Sequence, residues 1–259
     1  MRRVTQLLYL VSLANLSFCF VQLVQQKNFI DKHILKMGWN DTWDDILAGG
    51  NPRWKVVCEQ AHAKALDNFQ SHVKTEPTQT SVLCPLAGDD PFVYLLFKNG
   101  YSVTTIDLVP AAVEEMKKQF GNEATWTKDE KDNTIIWSHY SGRATLLVGD
   151  ALQHRPELVN KFDAVYDKDS FGALSKEMRN GYCKRMGEYL KVGGIVYLEC
   201  KLRDNHDEVK HIGPPFSLLT EDIMEETSYG TSFEHIKALG AVYDLSMTLQ
   251  QTGHILVRK

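Results

Sequence analysis

Short apolar segments alternate with amphipathic segments along most of the chain, and this alternation predicts β-strands separated by α-helices. The five apolar segments that predict strands are 80–84, 102–107, 144–148, 162–167 and 195–202. The amphipathic segments that predict helices are 56–69, 91–99, 110–120 and 176–190. Because strands joined through helices run parallel, this order predicts a parallel sheet with right-handed crossovers and a ligand crevice at the carboxyl ends of its strands.

The C-terminal part of the chain breaks this alternation. Two further strands, 241–248 and 253–258, are separated only by a short turn that we place at Gln250-Gln251, so they should pair antiparallel. The polar segment 121–141 is expected to be an excursion before the third strand. The predicted fold is a doubly wound α/β domain, with a mostly parallel seven-stranded sheet that ends in an antiparallel hairpin.

The N-terminus carries a possible targeting signal. Arg2 and Arg3 are followed by an uncharged stretch, 4–26, which is typical of a secretory signal or an organelle-targeting leader. An uncleaved membrane anchor and an N-terminal helix of the mature fold are the alternatives. We therefore divide the chain into a leader over 1–30 and one domain over 31–259. The leader predicts the secretory pathway or an organelle; without it we expect the cytoplasm.

Composition and charge narrow the classes of partner. With 259 residues, 43% of them hydrophobic, the chain can bury a full core. The net charge of −4 and the absence of a stripe of Lys and Arg argue against nucleic acid. The five cysteines contain no C-x-x-C pair, so neither a disulfide framework nor a zinc site is expected. We expect no metal, no stable membrane partner unless the leader is retained, and a monomer.

The turn after the first strand carries the strongest signal for a cofactor. Gly88 allows a tight turn close to a ligand, and Asp107, about 20 residues further on, can accept hydrogen bonds from two ribose hydroxyls. Asp89 and Asp90 stand where the next helix begins, and their charge would repel a pyrophosphate. A nucleoside without phosphates and with positive charge fits better, and S-adenosylmethionine meets that description. An ordinary turn, with Asp90 as the helix N-cap, is the alternative.

Acidic residues end three of the predicted parallel strands. Asp107 is the expected ribose ligand, Asp150 is placed to accept from the adenine amino group, and Asp167 lies where the amino-acid end of the donor and the acceptor should meet. The flanking residues assigned to the same cofactor site are Leu86, Leu108 and Ala151. The alternative for each aspartate is a plain turn-forming role after a strand.

Several motifs resemble those of the thiopurine methyltransferase family, which also contains small-thiol and halide methyltransferases. In chain order they are Trp39-x-x-x-Trp43 with Gly49 or Gly50 and Trp54, then Leu83-Cys84-Pro85-Leu86-Ala87-Gly88, Gly100-Tyr101-Ser102-Val103 with Asp107, Phe162-Asp163-Ala164-Val165-Tyr166-Asp167 with Ala173-Leu174, and Gly213-Pro214-Pro215-Phe216. The last tetrapeptide is the most specific match. The resemblance extends from Trp39 to the C-terminus, and it implies a Rossmann-like class I methyltransferase that uses S-adenosylmethionine.

The resemblance also suggests roles for individual side chains. Trp39, Trp43 and Trp54 could cover the cofactor by stacking on adenine or by facing the sulfonium; a core role is the alternative. Asp167 and Lys168 match an Asp-Arg pair of the family and are the predicted catalytic residues. Asp167 would hold the methionine end or orient the acceptor, and Lys168 would favour an anionic nucleophile such as a thiolate.

The chain departs from the family pattern beside these residues. Lys168 replaces an arginine, which keeps the charge but loses bidentate geometry. Gly88 is followed by Asp89, and 170–172 lengthens the loop before Ala173. We expect methyl transfer to a small molecule, with sulfur as the favoured acceptor atom. A halide or another small acceptor, or a catalytically silent nucleoside-binding module, is the alternative.

Two other interpretations of the sequence are weaker. An NAD-dependent oxidoreductase is disfavoured because the loop lacks the second and third glycines of the dinucleotide motif. His206, Asp207 and His211 invite a metal interpretation, but they lie in a charged loop without an apolar framework. We interpret 204–210, together with Pro214-Pro215, as a mobile flap over the acceptor.

Overall fold

The computed structural model describes residues 39–50 and 58–259, which build a nine-stranded sheet with helices on both faces. The strands, in chain order, are β1 Ser81–Pro85, β2 Ser102–Asp107, β3 Trp126–Lys131, β4 Thr134–His139, β5 Ala144–Val148, β6 Phe162–Lys168, β7 Leu190–Arg203, β8 Phe233–Ser246 and β9 Leu249–Arg258. The helices are α1 Trp39–Leu47, α2 Glu59–His72, α3 Pro91–Lys98, α4 Pro110–Gln119, α5 Ser170–Ala173, α6 Lys176–Tyr189, α7 His206–Val209 and α8 Thr220–Ile223.

The sheet has a parallel centre and antiparallel edges. Its order is β3-β4-β5-β2-β1-β6-β7-β9-β8, and the five strands from β5 to β7 run parallel to their neighbours within that group. The strands β3 and β4 on one side, and β9 and β8 on the other, are antiparallel. This confirms the predicted fold class, a doubly wound α/β fold that ends in an antiparallel pair.

Two apolar clusters hold the helices against the sheet. On one face, the side chains of α2, α3 and α4 pack on the strands, with Phe69, Phe92 and Met116 fully or nearly fully buried. On the other face, α5 and α6 cover the strands, with Phe171 and Met186 fully buried. Because side chains alternate between the faces of a strand, the five central strands contribute to both clusters.

The sheet differs from the prediction at its edges. The segment 121–141, expected to be an excursion, contains the antiparallel strands β3 and β4, so the sheet has two strands beyond the predicted seven. The final turn lies between Ser246 and Leu249. The prediction of a turn at Gln250-Gln251 is wrong, because both glutamines pair within β9. Four register shifts in β8 explain why alternation of apolar residues did not reveal its full length.

The order of the strands determines where a ligand can enter. From β1 the chain passes to β2 and β5 on one side and later to β6 and β7 on the other, so the order reverses between β1 and β6. In open α/β sheets, ligands bind outside the carboxyl ends of the strands at such a reversal. Within the described residues, no helix is long and apolar enough to cross a membrane. The leader predicted over 1–30 lies outside the described residues.

Candidate functional site

A cavity of about 310 Å³ opens at the carboxyl ends of the central strands, where the strand order reverses. The predicted cofactor residues that line it are Trp43, Leu86, Gly88, Asp107, Leu108, Asp150 and Ala151, and the predicted catalytic residue that lines it is Lys168. The structure therefore brings residues from β1, β2, β5 and β6 to one crevice. The parallel order of these strands is what gathers them, because all four end at the same edge of the sheet.

The turn after β1 is tied directly to the end of β2. Gly88 has φ +55°, a conformation that glycine adopts without steric cost, and Leu86 has φ +46°, which is uncommon for a residue with a side chain. The Gly88 N–H donates to Asp107 Oδ2 at 3.0 Å, and the Val109 N–H donates to Asp107 Oδ1 at 3.0 Å. Burial raises the pKa of Asp107, although these backbone hydrogen bonds partly offset the effect. A single carboxylate thus shapes the loop and borders the cavity.

The next helix begins with an aspartate that has two functions. Asp90 is the N-cap of α3, and its Oδ1 accepts a hydrogen bond from the Phe92 N–H at 2.9 Å. Its Oδ2 accepts from the Tyr166 hydroxyl and from Lys168 Nζ, each at 3.2 Å. The helix start is therefore capped by a carboxylate. Its negative charge makes this helix start less favourable for an anionic ligand than an uncapped one.

Lys168 is held in a buried ion pair. Its side chain and that of Asp90 are each 5% exposed. Burial lowers the pKa of Lys168, but the negative charges of Asp90, Glu199 and Asp169 outweigh this effect, and the pKa is raised overall. Lys168 therefore stays protonated at the cavity wall, where its ion pair with Asp90 partly neutralises its charge.

One end of the cavity combines apolar walls with carboxylates. Trp43 of α1 is 2% exposed and packs against Val109 and Ala112, so the residue belongs to the core as well as to the cavity wall. Asp150 is exposed, and its Oδ1 accepts from the Leu152 N–H at 2.8 Å. Of the other two predicted tryptophans, Trp39 begins α1 with its side chain outside the description, and Trp54 lies outside the described residues.

Asp167 does not reach the cavity, which separates the two predicted catalytic residues. Successive residues of a strand point to opposite faces of the sheet, so Asp167 lies on the face away from Lys168. It is 0% exposed, and its Oδ2 accepts from the hydroxyls of Tyr182 at 2.8 Å and Tyr229 at 2.9 Å. Burial raises the pKa of Asp167 to about 6. Its hydrogen bonds lower the pKa in part, and the one from the Phe171 N–H has the largest lowering effect. Asp167 thus joins α6 to the segment before β8.

A group of polar residues at the ends of β6 and β7 was not predicted from the sequence. Asp169, Lys201 and Arg203 line the cavity beside Lys168. A signal for two of them exists in the sequence, because Glu199, Lys201 and Arg203 alternate with apolar or small residues at the end of an otherwise apolar strand. Such alternation predicts that these side chains share one face.

Glu199 stands behind this group and does not line the cavity. It is 1% exposed, and its Oε1 accepts from the Tyr197 hydroxyl at 2.8 Å. Burial raises the pKa of Glu199 to about 7, against the lowering effect of Lys168 and of the Tyr197 hydrogen bond. A proton on this carboxyl therefore changes the charge of the group near neutral pH.

The tetrapeptide 213–216 forms the wall opposite the strand ends. Pro214 and Pro215 line the cavity, and the peptide bonds before both are cis. A Cβ atom on Gly213 would lie 2.6 Å from the ring of Phe216, so this position needs glycine. The Phe216 N–H donates to the Gly172 carbonyl oxygen at 2.8 Å, which attaches the wall to α5. Of the predicted flap, Pro214 and Pro215 border the cavity, whereas 204–210 do not line it, and the mobility stays a prediction.

The charges of the cavity are separated along the sheet. The β5, β2 and β1 ends supply Asp150, Asp107 and an apolar surface, whereas the β6 and β7 ends supply three basic side chains, Lys168, Lys201 and Arg203, together with the carboxylate Asp169. The first part suits a nucleoside, with carboxylate oxygens for hydroxyl and amino donors. The second part suits a smaller group that is, or becomes, anionic.

Comparison with known proteins identifies relatives of this chain. A family model described as thiopurine S-methyltransferase matches residues 39–253. The thiopurine S-methyltransferase of Legionella pneumophila is 31% identical over 147 residues, which cover 57% of this chain and 63% of that protein. The enzyme of the same name from Acinetobacter baylyi is 26% identical over 150 residues, covering 57% of this chain and 66% of that protein. The chain therefore matches slightly less than two thirds of the length of these relatives.

Solved structures share the fold at low sequence identity. A TehB-like SAM-dependent methyltransferase from Corynebacterium glutamicum has a TM-score of 0.51 and 14% identity, covering 91% of this chain and 99% of that chain. The glycopeptide N-methyltransferase MtfA in complex with S-adenosylmethionine has a TM-score of 0.56 and 15% identity, covering 77% of this chain and 94% of that chain. At these identities the likeness shows the fold, which agrees with the sheet order described above.

Proposed function

The chain belongs to the thiopurine S-methyltransferase family, and we propose that it transfers the methyl group of S-adenosylmethionine to the sulfur of a small-molecule thiol. The observation that carries the proposal is the cavity at the strand reversal, which combines a carboxylate-bearing apolar end with a cationic end.

The residues at the apolar end fit the donor. Asp107 borders the cavity and offers carboxylate oxygens for ribose hydroxyls, and Asp150 offers the same for an exocyclic amine. Trp43, Leu108 and Ala151 supply apolar surface for a nucleobase. The fold neighbour MtfA has been solved with S-adenosylmethionine and with S-adenosylhomocysteine, which supports a donor of this kind. When bound, S-adenosylmethionine supplies an electrophilic methyl group.

The residues at the cationic end fit an acceptor that reacts as an anion. A thiol attacks as its thiolate, and positive charge at a cavity wall favours that form. Lys168 and Arg203 supply this charge, and Met178, Leu174 and the proline wall add apolar surface beside it. Displacement of a neutral thioether demands positioning above all, so a cavity that aligns both groups provides most of what the reaction needs.

The division of the chain belongs to the same proposal. We propose that 31–259 forms the catalytic domain and that 1–30 directs the protein to its compartment. The family model begins at residue 39, which supports a functional unit that does not require the first 30 residues.

Calorimetric titration with S-adenosylhomocysteine, followed by a mass-spectrometric screen of alkyl thiols, aryl thiols, thiopurines and halides, tests the function. We expect tight binding and methylation of at least one thiol. Binding without any turnover would instead identify a silent nucleoside-binding module, and methylation of halides alone would refute sulfur as the acceptor atom. No binding of S-adenosylhomocysteine would refute the donor site itself.

The donor site is tested separately through Asp107. Asp107→Ala should weaken S-adenosylhomocysteine binding by about 1–3 kcal/mol, because ribose hydroxyls lose their acceptor. Asp129→Ala is the matched control, since Asp129 is exposed on β3 and does not line the cavity. Equal affinities of the two variants would contradict the assignment of Asp107.

A further inference from the structure

Three basic side chains, Lys168, Lys201 and Arg203, follow one another along the β6 and β7 side of the cavity, and their surroundings differ. Lys168 Nζ lies 3.2 Å from Asp90 Oδ2. Arg203 donates from its guanidinium to the Pro215 carbonyl oxygen at 3.4 Å, and a guanidinium keeps its proton in proteins. Lys201 Nζ lies 3.5 Å from Asp169 Oδ2, a longer and weaker pairing than that of Lys168. Of the two lysines, Lys201 therefore has the weaker pairing with a carboxylate.

Lys201 is nevertheless fixed in place. Lys201 is 8% exposed, and its carbonyl oxygen accepts a hydrogen bond from the Leu218 N–H at 2.9 Å. On the other side, β9 pairs with it through Gln251, whose Nε2 donates to Asp169 Oδ1 at 3.1 Å. The backbone is held by neighbours on both sides, and Asp169, which faces the amine, is itself anchored.

The charged groups around Lys201 come from each element packed against it. At the end of β6 these are the cation Lys168 and the carboxylate Asp169, and on β7 itself Glu199 and Arg203 each lie two residues away on the same face. Burial lowers the pKa of Lys201, Asp169 opposes this, and the repulsion from Lys168 and Arg203 reinforces it, so the pKa is lowered overall. The facing residues Gln251 of β9 and Ser217 are neutral.

We propose that Lys201 is the general base for the acceptor thiol, with Nζ taking the S–H proton at the cationic end of the cavity. This inference rests on the proposed function. The S–H bond breaks and its proton moves to the lone pair of Nζ, while the sulfur keeps the bonding electrons. The thiolate then forms the new S–CH₃ bond, and the electron pair of the broken C–S bond stays on the donor sulfur. After product release, Nζ returns the proton to solvent.

The neighbouring groups are less suited to this role. Lys168 has a raised pKa and shares its charge with Asp90, so it holds its proton. Glu199 does not line the cavity, so it cannot contact an acceptor. Asp169 has both oxygens engaged, one by Gln251 and one by Lys201. A lysine with a lowered pKa also becomes an ammonium next to the thiolate that it creates, which stabilises the pair.

Kinetics with two classes of thiol test the proposal. Lys201→Arg keeps the charge but cannot accept a proton, and Lys201→Met removes both properties. For 2-mercaptoethanol, a weakly acidic thiol, we expect kcat to fall at least about 100-fold in both variants, as for loss of a general base. For pentafluorothiophenol, which is ionised in solution, Lys201→Arg should keep kcat within about threefold. Lys131→Met, on the exposed edge strand β3, is the control and should match the wild type.

A second measurement does not depend on turnover. In the complex of the protein with S-adenosylhomocysteine and 2-mercaptoethanol, the ultraviolet absorbance of the thiolate is titrated with pH. We expect the wild type to form bound thiolate at lower pH than Lys201→Met. An identical titration in both proteins would overturn the proposal.

Other outcomes separate this proposal from its alternatives. Full activity of Lys201→Arg on both thiols would show that Lys201 supplies charge only. Thiolate formation that is lost in Asp169→Asn but kept in Lys201→Met would assign the base to Asp169. A tenfold loss of S-adenosylhomocysteine affinity in both Lys201 variants would place the residue at the donor; each of these results overturns the proposal. Failure of the wild type to methylate any thiol would instead refute the proposed function.

Discussion

Asp167 should make the stability of this protein depend on pH, and Asp167→Asn should remove that dependence. Burial raises the pKa of the carboxyl from 3.8 to about 6 in the folded protein. Between pH 3.8 and about pH 6, the Asp167 carboxyl is ionised in the unfolded chain but still protonated in the folded protein. The folded state therefore binds more protons, and the free energy of unfolding falls as the pH rises through this window.

The magnitude follows from the two pKa values. At about 1.4 kcal/mol for each pKa unit, the complete window corresponds to about 3 kcal/mol. Between pH 4.5 and pH 7.5 the ionisation equilibria give about 2 kcal/mol of this. Asparagine keeps an oxygen for the Phe171 N–H and can donate to a tyrosine oxygen, so the packing with Tyr182 and Tyr229 should survive.

Urea unfolding at pH 4.5 and pH 7.5, followed by circular dichroism, measures the effect. We compare the free energy of unfolding of Asp167→Asn with that of the wild type at each pH. From pH 4.5 to pH 7.5 this difference should shift in favour of the variant by about 2 kcal/mol. Glu199, whose pKa is raised to about 7, adds its own pH dependence to both proteins, and this cancels in the comparison. Asp129→Asn, with an exposed carboxylate, is the control.

The same offset from the wild type at both pH values, within about 0.5 kcal/mol, would refute the reasoning about burial. The variant also tests the role first predicted for this residue. Because Asp167 lies on the face away from the cavity, Asp167→Asn should bind S-adenosylhomocysteine as the wild type does. A clear loss of affinity would restore Asp167 to the donor site.

Three further predictions concern Lys168, Trp43 and the N-terminus. Lys168→Met should lower the free energy of unfolding by about 3–5 kcal/mol, because Asp90 keeps a buried charge without its cation; urea unfolding measures this, and a loss below about 1 kcal/mol would contradict a buried ion pair. Trp43→Ala should cost about 3–5 kcal/mol of stability and weaken S-adenosylhomocysteine binding, whereas Trp43→Phe should keep most of both, as thermal unfolding with and without the ligand would show. Deletion of 1–30 should leave folding and S-adenosylhomocysteine affinity unchanged by circular dichroism and calorimetry, and insoluble protein would assign the segment to the fold.

Much of the central architecture could be predicted because its signals are local. A buried parallel strand is a short apolar segment wherever it occurs, and Gly100 after a helix or Pro110 at a helix start marks a boundary through its own backbone geometry. The edge strands were harder to predict. Most of β3 is exposed and charged, so no apolar alternation marks it, and pairing with β4 is what makes it a strand.

The candidate site shows the same limit at the level of single residues. Gly88 and Asp107 could be paired from their spacing, and the structure joins them by a hydrogen bond of 3.0 Å. Asp167 and Lys168 are neighbours in the chain, yet they lie on opposite faces of β6, because a strand turns successive side chains away from each other. The sequence alone did not show which face would border the cavity.

The sequence by itself thus determined an alternating α/β fold, a glycine turn after β1 and acidic residues at the strand ends, since each depends on residues close together in the chain. Only the tertiary structure decided that Lys168 pairs with Asp90 and that Lys201 lies between Asp169 and two cations. These contacts join residues far apart in sequence, and the packing of β6 against β1 and β7 determines them. Charge and burial at the site follow from that packing, because the cost of an ionised group depends on what surrounds it in space.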